Sequence, residues 1–153
     1  MTTTYVDYIG RLHDVMALTV PAEGTGSVEL AFNKGGEITT GVQKLAQRFF
    51  MLLFTPRGSV PYAADVGSDF LLALANGGLR SVADVYTAFS AALVDVREQL
   101  LAQETTSDPN DERFDEAEIV NLRIDTATVY ITVRLITVAG AEARYIAPIP
   151  TTV

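Results

Sequence analysis

Hydrophobic residues recur along this chain with two different periods. Between Thr40 and Thr55, Val42, Leu45, Phe49 and Leu52 return at helical spacing. Ala46, Phe50 and Leu53 widen that stripe until the last turns are apolar nearly all round. The spacing predicts a helix buried on more than one side. Thr40 and Gln43 fit a capping box at its start. Pro56 ends it, because proline disfavours helical backbone in the residue before it. A short helix over Asp69–Ala75 is expected behind a Ser68 cap, closed by a left-handed turn at Asn76-Gly77-Gly78. A third helix follows Ser81, with Asp84 near its positive end. Its stripe is Val82, Val85, Phe89, Leu93, Val96 and Leu100, with Asp95, Arg97 and Glu98 mostly off it.

Beyond a polar, acidic stretch the period shortens to two. Val120, Leu122 and Ile124 alternate with Asn121, Arg123 and Asp125. Val129, Ile131, Val133 and Leu135 alternate with Thr128, Tyr130, Thr132 and Arg134. Each run predicts a half-buried strand. Ala139-Gly140-Ala141 turns the chain into a last strand around Arg144–Ile149. Pro148 and Pro150 cannot donate ladder hydrogen bonds, so that strand is expected at an edge or as an extended tail. Gln103–Glu116, with Asp108-Pro109-Asn110 as its turn, reads as an exposed loop.

The first 35 residues carry less pattern. Tyr5, Ile9, Leu12 and Met16 fit one helix face, which Gly10 weakens by about 1 kcal/mol. An extended arm with a short strand fits equally well. Pro21–Ser27 reads as a loop, Val28–Phe32 as a short strand with Val28, Leu30 and Phe32 on one face, and Asn33–Gly36 as a tight turn. Helices segregated from a later meander give an α+β expectation: helices packed on a C-terminal antiparallel β-meander, with an additional short N-terminal strand. Residues 1–35 form an arm and short strand, and residues 36–153 one domain with a single core.

Composition narrows the functions open to this fold. The chain has 153 residues and is 48% hydrophobic and 20% charged, suiting one globular core. Its formal net charge is −8 and its sequence pI about 4.5. Such a surface repels nucleic-acid phosphate, so direct DNA binding is not expected. Absent cysteine excludes disulfides and thiolate chemistry. Met1–Asp7 is polar, with no basic segment leading into an apolar one, and Phe49–Phe54 is too short to span a bilayer. Synthesis and assembly in a cytoplasm are expected, with no membrane insertion.

Candidate chemistry is sparse. His13 is the only histidine, and Arg57-Gly58-Ser59-Val60-Pro61 is not the Gly-x-Ser-x-Gly elbow of a serine hydrolase. One histidine without cysteine excludes the usual structural zinc sets. Asp108-Pro109-Asn110-Asp111-Glu112 lacks the glycine and distal glutamate of a calcium loop. Gly24-Thr25-Gly26 lacks the third glycine and the strand-turn-helix context of a dinucleotide fingerprint. Asp65, Asp69, Glu116 and Glu118 are the carboxylates to weigh for glycosidic cleavage, which needs two of them about 5–10 Å apart. Among 19 acidic residues chance pairs are expected. The expectation is a non-enzyme with no cofactor, metal or catalytic residue.

One segment is more specific. The helix Gln43–Phe54 is followed by Thr55-Pro56-Arg57-Gly58-Ser59-Val60-Pro61-Tyr62 and then Asp65-Val66-Gly67-Ser68-Asp69-Phe70. This resembles the central signature of the phage baseplate wedge and sheath-initiator family of contractile tails, a lysozyme-like wedge family. Related proteins occur in type VI secretion baseplates and extracellular contractile injection particles. The resemblance runs from about Gly36 to the end, with the long helix at Val82–Gln103 and the sheet at Ile119–Ile149. The family commonly carries Glu-Pro-Arg before the sheet. Here Glu116-Ala117-Glu118 keeps Glu116 and lacks the proline and the arginine fork.

The resemblance implies a virion scaffold in the tail baseplate. Its partners would be other wedge proteins, the tail sheath protein and tail tube or hub proteins. It also implies a sheet that the first ring of sheath extends by β-augmentation. The partner-interface candidates are Arg57, Tyr62, Asp65, Glu116, Glu118, Arg134, Tyr145 and Ile146. For Arg57 a local ion pair with Asp65 or Asp69 competes with a partner contact. The ring of Tyr62 is expected beneath its loop. A peptidoglycan hydrolase and a generic α+β adaptor, whose sheet merely covers the helices, are the competing readings.

Overall fold

A computed structural model describes residues 12, 14–20, 24–30, 37–75 and 81–150. Two-residue periodicity builds its main sheet. Strands β6 (Phe114–Asp125), β7 (Thr128–Thr137) and β8 (Glu142–Pro150) form an antiparallel meander. Along β7, Val129, Ile131, Val133, Leu135 and Thr137 are buried, while the residues between them are half-buried on the opposite face. β8 continues the buried face with Ala143, Tyr145, Ala147 and Ile149. Helices α1 (Gly41–Phe54), α2 (Phe70–Ala75) and α3 (Val82–Gln103) complete an α+β fold, with α1 touching β7 and α3 touching β6.

Aromatic contacts tie these layers together. Phe49 meets Phe50 edge-on at 5.2 Å and lies nearly parallel to Phe114 of β6 at 6.3 Å. Phe50 meets Tyr145 of β8 edge-on at 5.8 Å, and Phe89 of α3 lies 6.0 Å from Phe70 of α2. Such pairs add about 0.5–1.5 kcal/mol each beyond the area they bury. Phe49 and Phe50 are adjacent and both fully buried, so α1 is enclosed from two sides, as its wide stripe predicts.

The helix ends differ in how they are satisfied. Ser81 and Asp84 form the reciprocal capping box expected of α3. Ser68 Oγ accepts from the Phe70 N–H at 3.3 Å and donates to the Leu53 carbonyl at 2.7 Å, so it serves both neighbouring helices. The expected Thr40–Gln43 box is absent. Thr40 makes no side-chain cap bond, and Gln43 Nε2 donates to the Val20 carbonyl at 2.7 Å. Glu112 takes the vacant role, accepting from the Gly41 N–H at 3.2 Å and from Lys44 Nζ at 2.9 Å. On α3, Val82 is 46% exposed, a turn ahead of the first buried position, and Ala92 joins the buried stripe. The Asn76-Gly77-Gly78 turn lies outside the described residues.

Two segments read as loops are not simple loops. Gln103–Glu116 was expected to be exposed, yet Glu112 and Phe114 are buried and β6 already begins at Phe114. Its acidic composition hides a buried carboxylate matched to Lys44. Pro21–Ser27 contains β3 (Thr25–Ser27), which pairs parallel with β8 at Arg144–Ile146. The last strand is therefore covered there. The Arg144 N–H donates to the Gly24 carbonyl at 2.8 Å and the Val28 N–H to the Ile146 carbonyl at 2.8 Å. Thr-Gly-Ser has no apolar alternation to signal a strand, because its pairing is main-chain only.

Nearer the start the chain is extended. β1 (Asp14–Val15) pairs with β5 (Ile38–Thr39), and β2 (Leu18–Thr19) with β4 (Glu29–Leu30). Asp14–Val15 and Leu18–Thr19 are strand and not helix. Gln47, buried at 2% exposure, explains the course. Its side chain accepts from the Ala17 and Leu18 N–H groups at 2.8 and 3.2 Å and donates to the Val15 carbonyl at 2.9 Å. Val20 and Val28 join the same buried cluster as the helices and the meander. Leu30 is 61% exposed, so it does not share the face of Val28. Tyr5, Ile9, His13, Phe32 and the Asn33–Gly36 turn lie outside the described residues.

Two expectations follow. Tyr145 is fully buried, and among the described residues its hydroxyl has no hydrogen-bond partner. Tyr145→Phe should raise stability by about 1 kcal/mol, read as a higher urea midpoint at unchanged slope. Asp108 accepts from the Thr105 N–H at 2.7 Å, and this bond holds its carboxyl below the usual value of 3.8. A depressed folded-state value adds stability above the unfolded value, lost as pH falls through the folded one. The stability gap between the parent and Asp108→Ala should therefore be constant near neutrality and close in acid.

Candidate functional site

The segment between α1 and α2 is held as a closed loop. The Ser68 N–H donates to the Thr55 carbonyl at 2.9 Å, and the Arg57 N–H to the Ser68 carbonyl at 3.1 Å. Gly67, at φ +100°, brings the two ends into contact. A Cβ there would lie 2.1 Å from the Thr55 carbonyl oxygen, so glycine is obligatory. Gln99 of α3 clamps the same residue from the other side. Its Oε1 accepts from the Gly67 N–H at 2.9 Å, and its Nε2 donates to the Gly67 carbonyl at 2.8 Å.

Arg57 is bound within the chain. Its guanidinium bridges to Asp95 of α3, with Asp69 at 3.9 Å. The hydrogen bond and charge of Asp95 raise its pKa further above neutrality. Asp69 was anticipated and Asp95 was not. Asp95 and Gln99 are one helical turn apart and face the same loop, a pairing visible in their spacing once the loop's position is known. Asp65 lines a recess of about 290 Å³ with Arg57, Asp95, Glu98, Gln99 and Ala102. Tyr62 overturns its expected packing. It is fully exposed, with a left-handed backbone at φ +65°, a conformation that costs a non-glycine residue about 1–3 kcal/mol.

The sheet gathers a second group. On the face turned away from the helices, Arg134 Nη1 lies 3.1 Å from Glu118 Oε1, and its Nε lies 3.7 Å from Glu142 Oε2. Arg144 stands directly opposite Arg134 across the ladder. Like charges facing each other destabilise a sheet, and the two glutamates offset that pair. Arg123 lies 4.4 Å above the Tyr130 ring. Glu142 and Arg123 were not singled out from the sequence.

Tyr145 leaves the set of interface candidates. It packs against Phe50 inside the core, where burial pushes its hydroxyl pKa up. Its neighbours Ala143 and Ala147 are small, so nothing in the alternation announced an inward phase. Ile146 is half-buried, and its main chain lies between Thr132 of β7 and Ser27 of β3.

β6 forms one border of the sheet. The strand order is β3-β8-β7-β6, and among the described residues β6 has β7 as its sole strand neighbour. Register shifts near Asp115 and Val120 interrupt it. Glu116 and Val120 are exposed there, while Ala117 is buried. Asp65 and Asp69 sit on the Arg57 loop, whereas Glu116 and Glu118 sit on β6. Among the described residues no group of three or more histidine, cysteine, aspartate or glutamate side chains is arranged to hold a metal ion, and no helix is long and apolar enough to cross a membrane. No family model, curated protein or solved structure gives a significant match to this chain.

The loop geometry yields a paired expectation. Gly67→Ala should cost more than about 2 kcal/mol, because its methyl collides with main chain in a left-handed conformation. Gln99→Ala should cost about 1–3 kcal/mol through the lost amide pair. It should also raise hydrogen exchange across residues 57–67 while the β7 amides stay protected.

Proposed function

We propose that this chain is a structural component of a contractile-tail baseplate wedge that accepts a strand from the first ring of sheath protein. The border of β6 carries the reading. The twelve-residue strand Phe114–Asp125 has a strand neighbour on one side only among the described residues. Such a border offers unpaired N–H and C=O groups to an incoming strand. The resemblance of the Gln43–Phe70 segment to the wedge and sheath-initiator family supplies the assembly in which that border would be used.

The loop after α1 supports the same reading. It is braced by the Arg57–Asp95 pair, the Gln99 clamp and the Gly67 contact, yet it exposes Tyr62 completely. An aromatic side chain on a braced loop costs little main-chain ordering on binding, so it suits a docking point for another wedge protein. Glu118 and Arg134 pair with each other across β6 and β7. Their place in the proposal is to shape the outer sheet face.

The test uses purified tail particles from the source. The chain should be present at the baseplate by antibody labelling, and particles assembled without it should carry tubes lacking an anchored sheath. Normal sheath on particles without the chain would overturn the reading, as would its absence from particles. A cell-wall release assay run alongside should give no turnover.

A further inference from the structure

The side chains along β6 say what kind of strand that border would take. The register with β7 divides them between two faces. Ala117, Ile119, Leu122 and Ile124 lie opposite Leu135, Val133, Ile131 and Val129, the buried residues of β7. Glu116, Glu118, Asn121, Arg123 and Asp125 lie opposite Ile136, Arg134, Thr132, Tyr130 and Thr128 on the outer face. The stretch between the two register shifts, Glu116–Ile119, therefore alternates acid and apolar without interruption. Asp115, in the first shift, is exposed and adds a third carboxylate.

These charges are unequally engaged. Glu118 faces Arg134 from one side and remains 44% exposed by side chain. Glu116 is exposed and makes no ion pair among the described residues. Arg123, the one cation on β6, lies over Tyr130 at the far end of the strand. A strand added beside Glu116–Ile119 would set its outward side chains next to two carboxylates and its inward ones next to Ala117 and Ile119.

We propose that the β6 border is selective: it takes a strand of alternating basic and apolar residues at Glu116–Ile119 and rejects a second copy of itself. The inference rests on the strand-acceptor reading above and adds the partner's chemistry. Opposite charges on directly facing strand positions are favourable and like charges unfavourable. Antiparallel pairing of two β6 borders centred on Ala117 would place Glu116 of one copy beside Glu118 of the other. The carboxylates that attract a basic strand thus also oppose self-pairing in that register, a use of charge at exposed sheet edges.

Three short synthetic peptides test this against the full chain by fluorescence anisotropy. One alternates lysine and valine, one alternates glutamate and valine, and one is the lysine–valine peptide with alternate backbone amides N-methylated. The lysine–valine peptide should bind at least tenfold more tightly than the other two. Glu116→Lys, at an exposed position that leaves the Glu118–Arg134 pair intact, should weaken it several-fold with an unchanged circular dichroism spectrum. Equal binding of the N-methylated peptide would overturn the proposal, since attraction would then need no main-chain pairing. Equal binding of the glutamate peptide, indifference to Glu116→Lys, or a dimer of the parent chain by sedimentation that Glu116→Lys dissolves would overturn it too. Baseplate labelling that succeeds while the lysine–valine peptide fails would retire the basic-strand inference and leave the wedge reading standing.

Discussion

Helix α1 cannot be exposed on either of its long sides, and the rest of the molecule is arranged around that constraint. Phe49 and Phe50 point in different directions from adjacent positions, and both must leave water. One reaches Phe114 of β6 and the other Tyr145 of β8, so the sheet is required under the helix. The polar flank of α1 is equally occupied. Gln43, Lys44 and Gln47 bind the Val20, Leu12 and Val15 carbonyls, fixing the extended N-terminal segment along the helix. Buried amides contribute when every donor and acceptor is met, and Gln47 meets that condition.

What was legible in the sequence follows from which forces leave a periodic trace. Burial against a flat sheet forces alternation, and Val129, Ile131, Val133 and Leu135 announce β7 with the correct inward face. The Ser81–Asp84 cap is local, and so is the pattern that reveals it. The misses are non-local or main-chain. Nothing near Gly41 reveals that a glutamate 71 residues away satisfies its N–H. Nothing in Thr25-Gly26-Ser27 reveals a parallel partner, because a short strand held by its backbone need not spend side chains on the core.

The candidate site was legible in the same uneven way. Arg57 and Asp69 come together as their spacing suggests, but Asp95 and Gln99 approach from α3, an element whose placement only the packing decides. Glu118 and Arg134 meet because one residue in each strand shares a register position. Tyr145 and Tyr62 exchange their expected places. The tyrosine assigned to the surface lies in the core, and the one expected to pack beneath its loop stands in solvent. Aromatic residues with a polar tip suit either setting, so identity alone does not decide between them.

Glu112 also bears on the order in which the chain can acquire its structure. During synthesis α1 emerges long before the acid that completes its first turn, and the same acid neutralises Lys44. β3 must likewise wait for β8, more than a hundred residues further along the chain. A nascent chain ending near Ala75 would carry the apolar face of α1 with that helix's opening turn unfinished and no meander to cover it. Closure of such distant contacts is slow, so the apolar face of α1 stays uncovered until the meander has been made.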